Sequence, residues 1–302
     1  MANLNIWIHA SRPRTLPLAL AGIFAGSFMA AAQGYFQWDI FLLACATAVC
    51  LQILSNWAND YGDGVKGADN AMRRGPKRAV SSGAITRRAM LRGIVLLGVA
   101  SLILGFTLIS TAFDRSQRGE IFLFVCLGIA SIGAAVGYSM GRTPYGYRGW
   151  GDLSVFLFFG LVPVLGVYCL YGCDWSSVNL LPAVAIGAFS IGVLNLNNLR
   201  DYHSDKAAGK NTVVVQLGFE NGKVYQLVLT LLPYISILTY NLLLGRRSLS
   251  YLFLLSFVPA VLQLRRLFGT DAPAALYTEL KRLASIALSF SILFGLGECL
   301  AA

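Results

Sequence analysis

Charge is what this 302-residue sequence has least of: only 13% of its residues are Asp, Glu, Lys or Arg, against roughly 25% in an ordinary soluble domain. So few charges cannot cover the surface of a water-soluble fold of this size. Acids are scarcer than bases, 14 against 24, and there are only two histidines, His9 and His203, too few for a histidine-built metal or acid–base site. No Gly-X-Y period and no heptad array is present, which excludes fibrous folds. Disorder is excluded by the 56% hydrophobic content. The six cysteines, Cys45, Cys50, Cys126, Cys169, Cys173 and Cys299, all fall in apolar stretches and read as reduced packing residues rather than a disulfide framework. Arg12 and Arg14 precede an apolar run with no convincing small-residue cleavage site, so no cleavable leader is expected.

What is present is length without charge. Nine apolar segments stand out: 15–32, 40–58, 93–113, 121–140, 153–171, 178–196, 224–244, 249–264 and 283–300. The first eight hold no charged residue, and the ninth holds only Glu298. Each is near the ~20 residues that cross about 30 Å of hydrocarbon as a helix. Lipid offers no partner to a free backbone group and no strand-like alternation is present, so helices are the expected spanning form. Segment 249–264 is the shortest, and tilt or extension to about Arg265 would bring it to length. The expected fold is an all-α integral membrane protein, nine helices around a central apolar chamber. It forms one domain over 1–302, with two pseudo-repeat halves at about 12–150 and 151–266 and a ninth helix at 283–300.

Orientation follows from the bases. With the N-terminus inside, 20 of the 24 Lys and Arg fall on the inner side, and only Arg115, Arg118, Arg246 and Arg247 fall outside. This is a strong positive-inside asymmetry. It places the C-terminus outside and accounts for the net charge of +10 without any nucleic-acid partner. The lipid bilayer is the expected partner, and no obligatory protein partner is implied.

The polar residues gather in two inner loops, after the second and sixth segments. In the first, Asn56, Asp60 and Asp63 lie at i, i+4 and i+7, one helical face, and Asp69 follows with Lys66, Arg73, Arg74, Lys77 and Arg78. In the second, Asn197, Asp201 and Asp205 lie at i, i+4 and i+8, flanked by Arg200, Lys206 and Lys210. An amide, two carboxylates a turn apart and then cations thus occur twice on the same side. Carboxylates so spaced suit Mg²⁺, which takes about six oxygens and usually binds one or two carboxylates together with substrate phosphates. Two such clusters facing each other would hold a diphosphate between metal ions and basic side chains. A lone Asp beside Lys at a helix end is more simply a solvated cap, and Asp69 reads that way.

Asn59-Asp60-x-x-Asp63 after the second helix and Asp201-x-x-x-Asp205 after the sixth resemble the paired acidic motifs of the UbiA superfamily of intramembrane prenyltransferases. Many members carry a third acid four residues beyond the second; here that position is Gly67, and the next acid is Asp69. Four stretches, SRPRTLPLALAG, LQILSNWANDYGDGVKGAD, RTPYGYRGWGDLSVFLFFG and VLNLNNLRDYHSDKAAGKNTVVVQLG, are similar to the menaquinone branch, which prenylates 1,4-dihydroxy-2-naphthoate. The resemblance runs from about Arg12 to Gly218. It implies a Mg²⁺-dependent enzyme of the cytoplasmic (inner) membrane that takes a polyprenyl diphosphate and the naphthoate, releases diphosphate and CO₂, and yields a demethylmenaquinone precursor.

On that resemblance Asp60, Asp63, Asp201 and Asp205 are the expected metal ligands, with Asp69 as a further possibility. Asn56, Asn59, Asn197 and Asn198 are neutral ligands or orienting groups. Lys66, Arg74, Arg200, Lys206 and Lys210 are candidates to meet phosphate. Tyr138, Tyr145, Tyr147 and Trp150 either shield a carbocation or belong to an interfacial aromatic belt. Arg14, Arg142 or Arg148 would bind the acceptor carboxylate. Asp152 either takes a phenolic proton or answers a helix dipole. Competing readings are an enzyme of the same group with another aromatic acceptor, such as 4-hydroxybenzoate, a transporter with parallel halves, and a non-catalytic lipid-binding protein. A transporter would place its polar residues near the bilayer midplane, whereas here the span centres are apolar.

Overall fold

The computed structural model describes residues 3–67, 78–174, 176–246, 248–270 and 275–301. Asp69 and Arg74, named above, lie outside the described residues. Among the described residues all regular structure is helical, and nine helical segments are long and apolar enough to cross a membrane.

A short helix, α1 (Leu4–Ser11), turns at Arg12, whose φ of 49° is left-handed, into a single helical turn begun by Pro13 and then α2 (Leu16–Ala31). The second span, α3 (Trp38–Lys66), has 29 residues, ~43 Å of helix. This exceeds the hydrocarbon thickness, so its last turns, which carry Asn56 to Asp63, project beyond the apolar zone. Gly67, at φ 68°, ends it and returns its N–H to the Asp63 carbonyl. Spans α4 (Arg87–Ala112) and α5 (Arg118–Gly137) follow; Thr86 caps α4 through the Ala89 N–H.

The fifth span, α6 (Gly151–Leu170), is π-wound over Phe156–Gly166, around Pro163, which has no N–H to give. The sixth is α7 (Leu180–Arg200). Two short helices, α8 (Tyr202–Ala207) and α9 (Val213–Leu217), lead into α10 (Phe219–Leu243).

The segment read as the shortest extends past Arg265 to Phe268, and its winding adds further length. Span α11 (Ser248–Phe268) begins with nine residues of 3₁₀-helix, Ser248–Ser256. At about 2.0 Å per residue against 1.5, that half stretches the span to ~36 Å without additional sequence. Span α12 (Leu276–Ala301) closes the bundle against α2, α7 and the 3₁₀ half of α11. Glu298, near its C-terminal end, is buried and pairs with Arg246 at 3.0 Å, as a charge at membrane depth must.

Small residues set the close crossings. A Cβ on Gly160 of α6 would stand 2.7 Å from the Gly187 Cα of α7, and one on Gly22 of α2 would stand 2.8 Å from the Pro163 ring. With little hydrophobic drive between helices in lipid, such backbone approach supplies packing. A second core joins α1, α3 and the segment 79–94: Trp7 and Trp57 meet at 4.6 Å between centroids, over Met90 and Leu54. By contrast α5 rests on α3 and α4 and scarcely touches α6.

Gly160→Leu has no room in the α6–α7 crossing. Its expected outcome is a loss of ~1–3 kcal/mol, read as a lower thermal-unfolding midpoint of the detergent-solubilised protein, while Gly98→Leu, where an added Cβ meets nothing within 4 Å, leaves the midpoint unchanged.

Candidate active site

The overlong end of α3 and the α7–α8 turn converge at one end of the bundle, over a chamber of about 2060 Å³ including its open mouth. Leu18, Ile23, Leu108, Phe159, Val193 and similar residues make most of its wall, and polar groups are concentrated at the mouth.

The two acidic turns meet there through a lysine. Lys210 Nζ lies 3.3 Å from Asp63 Oδ1 and 3.2 Å from Asp205 Oδ1. Asp63 also pairs with Arg78 and accepts the Tyr147 hydroxyl proton. The Tyr147 ring is itself flanked by cations, Lys210 Nζ at 4.5 Å and Lys66 Nζ at 5.1 Å from its centre. Burial pushes the Asp205 carboxyl up to about 6, with the Asp201 charge acting the same way and Lys210 opposing both. Burial, and then the Asp63 charge, raise the Tyr147 phenol, which therefore stays a donor.

Each remaining expected residue has a definite place. Asp60 directs both oxygens to the backbone: the Ala79 N–H donates to Oδ2 at 3.0 Å and the Val80 N–H to Oδ1 at 2.9 Å. Asp201 lines the chamber mouth and is held by Arg200, whose Nε donates to Oδ1 at 2.9 Å and whose second nitrogen donates to Asn197 Oδ1 at 2.8 Å. Asn56 donates to the Ser11 carbonyl at 2.9 Å and to the Thr15 hydroxyl at 3.1 Å, which also receives the Gln52 amide at 3.0 Å. Asn59 accepts from Ser139, and its carbonyl accepts from Arg78. Asn197, Asn198, Tyr138 and Tyr145 line the chamber.

Other expected residues stand apart from the chamber wall. Lys206 is exposed beside Tyr202, Arg142 is exposed, and Arg148 borders a separate cavity. Arg14 donates to the Tyr277 hydroxyl. Asp152 sits behind the wall and accepts the Tyr225 hydroxyl at 2.9 Å.

Arg12, Thr15 and Gln52 had no site role in the sequence reading, Arg78 was one of several cations in a basic loop beside the first acidic turn, Lys210 was not placed between the two turns, and Tyr147 was grouped with other aromatics. The i, i+4 relation of Gln52 to Asn56, on the face that carries Asp60 and Asp63, was the available signal for Gln52.

The UbiA prenyltransferase family pattern matches residues 19–286. The chain belongs to the UbiA prenyltransferase family. It is 40% identical over 297 residues to the 1,4-dihydroxy-2-naphthoate octaprenyltransferase of Haemophilus influenzae, covering 97% of this chain and 96% of that one. It is equally 40% identical to the 1,4-dihydroxy-2-naphthoate octaprenyltransferase of Escherichia coli, covering 98% and 96%.

Two solved UbiA structures share the fold. The apo UbiA homolog from Aeropyrum pernix superposes with a TM-score of 0.66 at 17% identity over 96% of both chains. The UbiA homolog from Archaeoglobus fulgidus bound to DMAPP and Mg²⁺ superposes with a TM-score of 0.60 at 14% identity, covering 98% of this chain and 99% of that one. The UbiA resemblance read from the acidic motifs is therefore the family of the chain, and the nine-span helical bundle is the family fold.

Among the described residues no three acids, cysteines or histidines stand close enough to form a ready metal cage. The donor set nonetheless suits a hard cation. Asp63 and Asp205 offer carboxylate oxygens on opposite turns, and the Lys210 ammonium between them marks a place that requires positive charge.

Lys210→Met would leave two buried carboxylates facing each other. The expected cost is ~3 kcal/mol; in the double variant with Asp63→Asn the loss falls short of the sum. Thermal unfolding of the four proteins in the cycle measures both.

Proposed function

We propose that this UbiA-family enzyme transfers a polyprenyl group from polyprenyl diphosphate to 1,4-dihydroxy-2-naphthoate, with loss of diphosphate and CO₂, and so forms the demethylmenaquinol of menaquinone biosynthesis. The observation that carries this reading is the meeting of Asp63 and Asp205 at Lys210, over an apolar chamber, in a chain 40% identical along nearly its whole length to 1,4-dihydroxy-2-naphthoate octaprenyltransferases.

The geometry supports these roles. The donor's isoprenoid tail lies in the chamber, and its diphosphate sits at the mouth. Asp63, Asp201 and Asp205 would hold Mg²⁺, which would supply Lewis-acid neutralisation of the diphosphate charge. Asp60, whose oxygens already accept from the Ala79 and Val80 N–H groups, is the anchored anion of the same turn. Lys210 and Arg78 exchange carboxylate partners for phosphate oxygens as the donor binds, and Lys66 stands beside them across Tyr147.

The allylic C–O bond breaks and its electron pair leaves with diphosphate. The ring carbon of the acceptor that bears the carboxylate forms the new C–C bond. CO₂ departs, and the electron pair of its bond restores the aromatic ring. The apolar wall keeps water from the allylic cation. The Tyr138 ring, half-buried and edge-on to Tyr145 at 5.5 Å, lines that space. Burial first, then the Asp152 charge, raise the Tyr138 phenol and keep it neutral. Asp152 acts through Tyr225 and Tyr138 as a positioning charge.

The basic asymmetry of the loops supports an N-terminus inside, a C-terminus outside and a site that opens to the cytoplasm, in a multi-pass protein of the cytoplasmic membrane.

Purified protein given Mg²⁺, one polyprenyl diphosphate and each aromatic acid in turn is expected to form product with 1,4-dihydroxy-2-naphthoate and not with 4-hydroxybenzoate; the reverse preference overturns the acceptor assignment. Asp201→Asn and Asp205→Asn are each expected to lower turnover at least ~10³-fold while the protein still folds, and chelation of the divalent ion to abolish activity until Mg²⁺ is returned. Full activity in both variants would refute the metal assignment.

A further inference from the structure

The chamber has a neighbour. A second space, an open groove of about 760 Å³ counting the solvent at its mouth, lies at the seam where α5 scarcely touches α6. The two spaces share four wall residues: Ala134, Tyr145, Ser154 and Phe158. On the chamber side the wall continues into Tyr138 and Tyr147. On the other side it continues into Arg148, Trp150, Leu153 and Leu157, none of which lines the chamber. Trp150 and Leu153 are 58% and 48% exposed, so this cavity opens on the outer flank of the bundle.

The partition is held by one hydroxyl. Tyr145 O–H donates to the Ala134 carbonyl on α5 at 2.7 Å. That uses its only proton, so the contact of 2.8 Å with Ser154 Oγ runs the other way, with Ser154 donating from α6. Tyr145 thus ties together two spans that otherwise barely pack. It begins the short turn Tyr145–Arg148, and the connection that carries it has left-handed glycines on either side, Gly141 at φ 87° and Gly149 at φ 85°. Breaking two neutral hydrogen bonds, each worth about 1 kcal/mol net, is a modest cost for movement.

The side cavity has the chemistry of one ligand class. Apart from the Tyr145 and Ser154 hydroxyls its walls are apolar and aromatic, with a single cation, the exposed Arg148. A planar aromatic ring fits beside Trp150 and Phe158, and a carboxylate pairs with the guanidinium. A diphosphate, with several charges, is matched instead by Lys210 and Arg78 at the chamber mouth.

We propose that the cavity between α5 and α6 is an antechamber for the aromatic acid acceptor, and that the Tyr145 hydroxyl, bonded to Ala134 and Ser154, is the latch between it and the reaction chamber. This rests on the aromatic acid acceptor proposed above. It gives the acceptor a route separate from the donor's, so that a chamber already filled by an isoprenoid tail is still reached from the side. Arg148 is then a positioning residue rather than part of the reacting site.

Two measurements on the full-length protein test it. In steady-state assays with Mg²⁺ and saturating polyprenyl diphosphate, Arg148→Glu is expected to raise the KM for 1,4-dihydroxy-2-naphthoate about tenfold and to leave kcat and the donor KM within about twofold. Arg148→Lys falls between. Leu157→Trp, which fills the cavity without altering charge, raises the acceptor KM alone and covers the case in which Arg148→Glu does not fold. In equilibrium titrations without donor, unreactive 2-naphthoate is expected to quench tryptophan fluorescence in the wild type; Trp150→Phe removes the quenching, Arg148→Glu shifts it to at least tenfold higher ligand, and uncharged 2-naphthalenemethanol binds weakly to both.

An unchanged acceptor KM in both Arg148→Glu and Leu157→Trp, a donor KM that rises in step with the acceptor's, or quenching indifferent to Trp150→Phe overturns the antechamber. A wild type that quenches with 2-naphthoate yet prenylates no naphthoate would sink the acceptor assignment while leaving the aromatic-acid site in place.

Discussion

One partly buried ammonium organises the polar end of this protein. Lys210 stands between Asp63 on the second span and Asp205 beyond the sixth, and without positive charge there the two buried carboxylates would repel each other with little screening by water. The surrounding interactions are arranged about this point. Arg78 and Tyr147 take up the rest of Asp63, and Arg200 holds Asp201 and Asn197. The apolar walls that leave few alternative partners for these charges also make their pairing strict. A site built this way favours a ligand that brings anions together with its own dications, because such a ligand substitutes for the native pairing rather than merely breaking it.

That arrangement explains why the bundle is asymmetric along its axis. Helix α3 continues for turns beyond what hydrocarbon requires, and those turns carry the amides and acids. At the opposite end the polar chemistry is structural: Glu298 pairs with Arg246 and receives the Tyr240 hydroxyl at 3.4 Å, tying α10 to α12. The middle is closed by small residues on α2, α6 and α7, so helices that approach closely on one side leave room for the chamber on the other.

Much of this was legible in the amino-acid string because membranes impose simple rules. Eight charge-free runs and a ninth that holds only Glu298 match the nine candidate spans among the described residues, and the spacing of Asp60 with Asp63 and of Asp201 with Asp205 pointed to one end of the bundle. What escaped was information carried by backbone and by distance along the chain. Nothing about Asp60 as a letter says that its oxygens accept from Ala79 and Val80, 19 and 20 residues on. Tyr147 looked like one aromatic among several because its neighbours, Lys66, Lys210 and Asp63, come from three separated stretches. The π-wound centre of α6 and the 3₁₀ start of α11 leave the hydropathy profile unchanged, so composition saw their lengths and not their winding.

The anchoring of Ala79 and Val80 by Asp60 has a consequence for ligand capture. Backbone that is fixed by a side chain of the neighbouring helix has already lost its freedom when the chain folds. Arg78, the residue just before it, is therefore presented from a rigid ledge, and an arriving anion need not spend affinity on ordering it. Preorganisation of this kind converts an acid that looks like one more magnet for metal into part of the scaffold that aims a guanidinium.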